Sequence, residues 1–300
     1  MTGTALNVTA FNVSALNGTG LNVTAQSGTG LTWNLVTDLR QLLQFPFMVN
    51  AFRAGTIVAV VAGCVGWFMV LRRQTFAGHT LAVIAFPGAA GAALAGLPLA
   101  FGYFGACVAG ALALAGIPGD PSRESAATGT VQALGLGLGF LFVSLYGGLL
   151  NGVSALLFGT FLGITDHQVL TLVAVAVAAL AALVAGGRPL LFASVDADVA
   201  QAAGVPVRAL SLGFLLLLGL AVAATSQITG ALLVFALLVA PAAAAQRLTA
   251  RPLRGLLLSV GLGLVVTWLG LALAYFSIYP AGFYITSLAF AAYVVARVVR

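Results

Sequence analysis

From about residue 54 to the carboxyl terminus the chain is a succession of unbroken apolar stretches separated by short polar punctuation. Nine stretches are distinguishable, at about 54–71, 79–97, 100–117, 131–150, 169–185, 209–225, 231–245, 255–276 and 283–299. A helix needs about 20 residues to cross a hydrocarbon layer, and these runs approach or reach that length. They are rich in Leu, Ala, Val and Gly and do not alternate residue by residue, so they read as helices and not as barrel strands. The pattern predicts an all-α polytopic membrane bundle of about nine transmembrane helices.

The polar exceptions carry the information. The longest interruption in the second half is RPLLFASVDADVAQAAGVPVR, from Arg188 to Arg208. Its middle predicts one helix of about eight residues, Asp196 placed as N-cap and Asp198 adding negative charge to the first turn. Ala197, Val199, Ala200 and Gln201 form its body. Gly204 suits the left-handed C′ position, and Pro206 stops continuation. Such a helix cannot span a bilayer. It stands in water, either as an ordinary loop helix or as a handle for a partner.

Composition narrows the class. With 61% hydrophobic and 6% charged residues and a mean hydropathy of +1.13, the chain cannot be a soluble globule, in which about 25% of residues are charged. The net charge of +6 does not imply nucleic acid, because the arginines stand at the ends of apolar spans and not in a cluster with aromatics. With Arg72 and Arg73 cytoplasmic, alternation across nine spans puts ten of the twelve basic residues on that side and leaves Arg40 and Arg53 outside. This predicts an external amino terminus, a cytoplasmic carboxyl terminus and a cytoplasmic polar island. Cys64 and Cys107 lie within apolar runs without partner spacing and read as core residues. Residues 5–24 repeat ALNVT, AFNVS, ALNGT, GLNVT, with sequons at Asn7, Asn12, Asn17 and Asn22. They predict a low-complexity, disordered extracytoplasmic tail with a short lead-in through residue 44, ahead of a transmembrane domain over 45–300.

Several chemistries are missing. None of the six acids lies in the middle of an apolar stretch, whereas ion-coupled carriers usually bury an ionisable group. No Gly-rich loop ends in Gly-Lys-Ser/Thr, so ATP is not bound in that way. No Ser-His-Asp spacing or HExxH motif offers catalysis, so the chain does not read as an enzyme. A pore subunit driven by a separate motor fits these absences.

Four stretches, in order, carry a resemblance: LRRQTFAGHTLAVIAFPGAAGAALAG (71–96), LLFGTFLGITDHQVL (156–170), LLFASVDADVAQAAGVPV (190–207) and ALLVFALLVAPAAAAQRL (231–248). From about Met48 onward the chain resembles the permease subunits of zinc/manganese ABC importers. The resemblance implies a type II importer-like permease of the bacterial inner membrane, a homodimer around a central path. It further implies an extracytoplasmic metal-binding protein and a cytoplasmic ATPase that uses the ATP, with no cofactor on this chain. The cargo implied is Zn²⁺ first and Mn²⁺ second. Asp196, Ala197, Asp198, Val199, Ala200, Gln201 and Gly204 become the coupling helix. The family's second span usually presents an aspartate and, one turn on, a histidine; here those positions are His79 and Val83. His79 is then a transit ligand, paired with its copy across the dimer, or merely lines the start of the span. Asp166 and His167 either meet the binding protein at the entrance or form a solvated turn and N-cap. Pro87 and Pro241 read as kinking devices. A siderophore or cobalamin importer permease is the nearest alternative reading, and a solitary ion-coupled carrier is a more distant one.

Overall fold

Hydrocarbon supplies no partner for backbone N–H and C=O groups, so a spanning segment must satisfy them internally, as a helix does. The computed structural model describes residues 42, 44–116, 121–146, 159, 164–277 and 279–299, and every regular element among them is a helix. In chain order these are α1 (Pro46–Leu71), α2 (Thr75–Leu94), α3 (Leu99–Ala115), α4 (Pro121–Leu145) and α5 (Asp166–Val195). There follow α6 (Ala197–Ala202), α7 (Val207–Thr229), α8 (Ala231–Leu248), α9 (Pro252–Tyr275) and α10 (Ala281–Val299).

Each predicted apolar stretch falls largely on one helix. Among the described residues seven helices, α1, α2, α4, α5, α7, α9 and α10, are long and apolar enough to cross a membrane, against the nine spans expected. The other two, α3 and α8, are apolar helices of 17 and 18 residues. Two boundaries move for physical reasons. Residues 188–195 continue α5 instead of opening a loop, because Pro189 removes a single intrahelical bond and Arg188 can carry its charge outward on its apolar stem. The stretch around Arg123 and Glu124 is helical and not loop, since Pro121 occupies the first helical position, where a missing N–H costs nothing. Residues 1–41, with the Asn-rich repeats, and all of 156–163 except Gly159 lie outside the described residues.

α1 and α2 form the centre. Buried residues make up 72% of the most apolar window of α1 and 67% of that of α2, against 17% for α4 and α10. α1 packs on α9, α8 and α5, and α2 packs on α3, α4, α7 and α8. On the periphery, Leu134, Phe140, Val177, Val184, Trp268, Phe290 and Val298 are exposed. That much open apolar surface is a liability in water and the ordinary condition in lipid.

Small residues set the helix spacing. A Cβ on Gly66 would run into the carbonyl of Leu238 on α8. Gly88 and Gly102 are reciprocal, a Cβ on either striking the carbonyl oxygen of the other. Hydroxyls and amides add interhelical bonds: Ser259 Oγ donates to Gly63 O at 2.9 Å, and Gln246 Nε2 donates to Trp67 O at 2.8 Å. Because the neighbour of Gly66 is backbone and cannot rotate away, Gly66→Val is expected to destabilise the bundle by about 1–3 kcal/mol. Gly105, where an added Cβ would meet nothing within 4 Å, is the control, and Gly105→Ala should be neutral or stabilising. Thermal unfolding midpoints in detergent check both.

Candidate functional site

The polar island resolves into a short hairpin, the end of α5, then α6, then the start of α7. Asp196 is the N-cap of α6, its Oδ1 accepting from Asp198 N at 3.1 Å and Val199 N at 3.0 Å. The other end closes as a Schellman motif. Val205 N donates to Ala200 O at 3.0 Å, Gly204 N donates to Gln201 O at 3.0 Å, and Gly204 sits at φ +84°. The helix has six residues, shorter than expected, because the left-handed turn begins directly after Ala203. Only Ala200 is buried; Ala197, Asp198, Gln201 and Ala202 are exposed, and so are the apolar Val195 and Val199. A rigid knob with apolar tips is thus presented between two long apolar helices.

The hairpin is tied to the core by a residue whose part in it the sequence does not reveal. The guanidinium of Arg72, in the turn between α1 and α2, donates from Nη1 to Ser194 Oγ at 3.2 Å and from Nη2 to Ser211 Oγ at 2.7 Å. One hydroxyl lies near the end of α5 and the other near the start of α7. The Arg72 Cζ also stands 5.5 Å from the ring centroid of Phe214. Both hydrogen bonds end on neutral hydroxyls, and the buried Nε has no partner among the described residues. Burial lowers the pKa of Arg72 from its ordinary value, yet an arginine so placed stays charged.

His79 lies one turn into α2. Its Nε2 is 3.0 Å from Gln132 Nε2 on α4, and its ring centroid is 4.6 Å from that of Phe235 on α8. Two nitrogens at that distance form a hydrogen bond in one of two ways. Either the Gln132 amide donates to a bare Nε2, or the amide is turned and its oxygen accepts from Nε2–H. In both cases Nδ1 is buried with no partner among the described residues, and in the second it carries a free lone pair. Val83, one turn further, is buried and offers no donor. Among the described residues no three His, Cys, Asp or Glu side chains gather as a metal centre. The contacts of Gln132 and Phe235 were beyond sequence reading, because they reach His79 from different helices.

Asp166 and His167 sit at the opposite end of α5 from the hairpin. The N-cap there is Thr165, in a capping box with Gln168. Asp166 accepts from Asn50 Nδ2 on α1 at 3.1 Å, and His167 is exposed. The structure does not bring this pair near His79 or α6. Pro87 and Pro241 lie inside α2 and α8, which both continue through them.

The caps of α6 generate a local prediction. Asp196→Ala removes the acceptor for two backbone amides and is expected to cost about 1 kcal/mol of helix stability. Faster amide exchange at Asp198 and Val199, with the spans unchanged, is the readout.

Comparison with known proteins brings these features together. Residues 44–300 match the ABC 3 transport family. The chain is 30% identical over 222 residues to the "Manganese transport system membrane protein MntC" of Halalkalibacterium halodurans, covering 73% of this chain and 75% of that one. It is 31% identical over 245 residues to the "Chelated iron transport system membrane protein YfeC" of Yersinia pestis, covering 81% and 82%. Among solved structures, "PsaBC from Streptococcus pneumoniae in complex with Fab" superposes with a TM-score of 0.78 at 27% identity, covering 87% of this chain and 95% of that one. By a family match that runs from the first residues of the bundle to the carboxyl terminus, this chain is a membrane protein belonging to the ABC 3 transport family.

Proposed function

We propose that this chain is the permease subunit of an ATP-binding cassette importer for a divalent transition metal. The observation that carries the reading is α6, a six-residue helix capped at both ends and exposed on nearly every face, flanked by helices long enough to span. A separate cytoplasmic ATPase grips α6, so ATP is consumed by the partner and no resident cofactor belongs to this chain. Two copies of the chain surround the path, an extracytoplasmic metal-binding protein delivers the ion, and α3 and α8 complete nine spans in the bacterial inner membrane. The amino terminus is then external and the carboxyl terminus cytoplasmic. Asp166 and His167 lie on the face that receives the binding protein, and Pro87 and Pro241 let α2 and α8 bend during the cycle.

Manganese is the cargo favoured by the names of several relatives, among them those from Halalkalibacterium halodurans and Streptococcus parasanguinis. A specific observation favours zinc as the second reading. The aspartate and histidine of the family pattern are replaced by His79 and Val83, which removes an oxygen donor that suits Mn²⁺ and leaves an imidazole that suits Zn²⁺. His79 acts as a weak transit ligand through its unpartnered Nδ1, because a pore must also release what it binds.

Uptake of Mn²⁺ and Zn²⁺ by the reconstituted complex in proteoliposomes tests both levels. ATP-dependent accumulation of either ion supports the importer, and uptake by this chain alone under a proton gradient overturns it. His79→Ala is expected to slow transport by about tenfold or more if the imidazole contacts the ion, the cost of one lost ligand interaction of ~1.4 kcal/mol. An unchanged rate returns His79 to a packing role.

A further inference from the structure

The turn between α1 and α2 is as tightly closed as the hairpin it touches. Gln74 N donates to Met69 O at 2.9 Å and Arg73 N to Val70 O at 3.1 Å, with Arg73 at φ +59°. This is again a Schellman closure, here with an arginine in the left-handed position, where a side chain is normally disfavoured. α2 then starts at once, Gly78 N donating to Gln74 O at 3.0 Å. Three residues, Arg72 to Gln74, therefore join α1 to α2 with no slack, and His79 follows within the next turn and a half.

Into this stiff connector Arg72 brings both arms of the α6 hairpin. Ser194 stands two residues before the N-cap of α6, and Ser211 lies in the first turns of α7. A guanidinium is a planar fork whose two terminal nitrogens can hold two acceptors at a fixed separation, which a lysine ammonium does not reproduce. Ser194 Oγ itself donates to Leu190 O, so its orientation is fixed by its own helix. Phe214 closes the remaining face of the guanidinium. Direct packing of α1 on α5 and α7 and of α2 on α7 also exists, but a forked hydrogen bond adds a directional link with one register, which apolar contact by itself does not specify.

We propose that Arg72 is the positioning residue that transmits movement of α6 to the first turns of α2, and so to His79. The proposal rests on α6 being the element gripped by the ATPase. A displacement of the hairpin pulls on two hydroxyls, the fork carries the pull to the α1–α2 turn, and the closed turn passes it to α2. Arg72 touches neither ion nor nucleotide, so it sets how much transport each hydrolysis event yields and not whether hydrolysis occurs.

The test uses the full permease–ATPase complex with its binding protein in proteoliposomes, with Mn²⁺ and ATP. The quantity read is ions taken up per ATP hydrolysed. Arg72→Gln is expected to keep the ATPase bound and hydrolysing while lowering that ratio by about two- to thirtyfold, the range of coupling lost at intermediary residues. Arg72→Lys, which can hold one hydroxyl, should recover part of the ratio. The double variant Ser194→Ala/Ser211→Ala removes both acceptors while raising, not lowering, helix propensity, so it decides the matter where Arg72→Gln fails to assemble. An unchanged ratio in either assembled variant overturns the assignment. A wild-type complex without ATP-driven uptake would instead defeat the importer reading. In that event the distance between nitroxides at the exposed positions 76 and 199, introduced by Phe76→Cys and Val199→Cys, still judges the clamp. The distance distribution should broaden with Arg72→Gln, and an undisturbed distribution overturns the proposal.

Discussion

The structure depends on backbones approaching each other more closely than side chains would allow. In lipid the hydrophobic effect does not draw helices together, since a leucine is as well solvated by acyl chains as by another helix. Cohesion has to come from packing and from the few polar groups that cross. Gly66 against the Leu238 carbonyl, and Gly88 against Gly102, are where that closeness is greatest. They join α1 to α8 and α2 to α3, and so fix the four helices around which the others are laid. The Ser259 and Gln246 bonds to α1 carbonyls fasten the same centre from α9 and α8.

A bundle held in this way is stiff at its middle and must connect to the aqueous phase through short, closed turns. Both turns that matter are Schellman closures, one ending α6 at Gly204 and one ending α1 at Arg73. Between them lies Arg72, a charge at the margin of the apolar region that meets two neutral hydroxyls and an aromatic face and keeps a buried Nε without a partner among the described residues. Such a residue is costly to hold, and it stands at the junction of three elements, the α1–α2 turn, the end of α5 and the start of α7.

Much of the candidate site was legible along the chain. The caps of α6 are local, so Asp196, Gly204 and Pro206 announce them by type and spacing, and the structure agrees to within two residues. The extension of α5 through Pro189 was not legible, since a proline signals a boundary and only the surrounding packing decides whether the helix ends there. Nor was the Asn50–Asp166 bond, whose partners are 116 positions apart in sequence.

The sequence by itself determined the solvent, most of the secondary structure and the family. Hydropathy acts residue by residue, and helix caps act over four or five positions, so neither needs the fold to be read. The tertiary structure decided what surrounds His79 and Arg72. Gln132, Phe235, Ser194, Ser211 and Phe214 arrive from four other helices, and nothing in their own neighbourhoods marks them. The loss of a ligand at Val83 could be read from the chain, but the unpartnered Nδ1 left on His79 could be found only once the helices were packed.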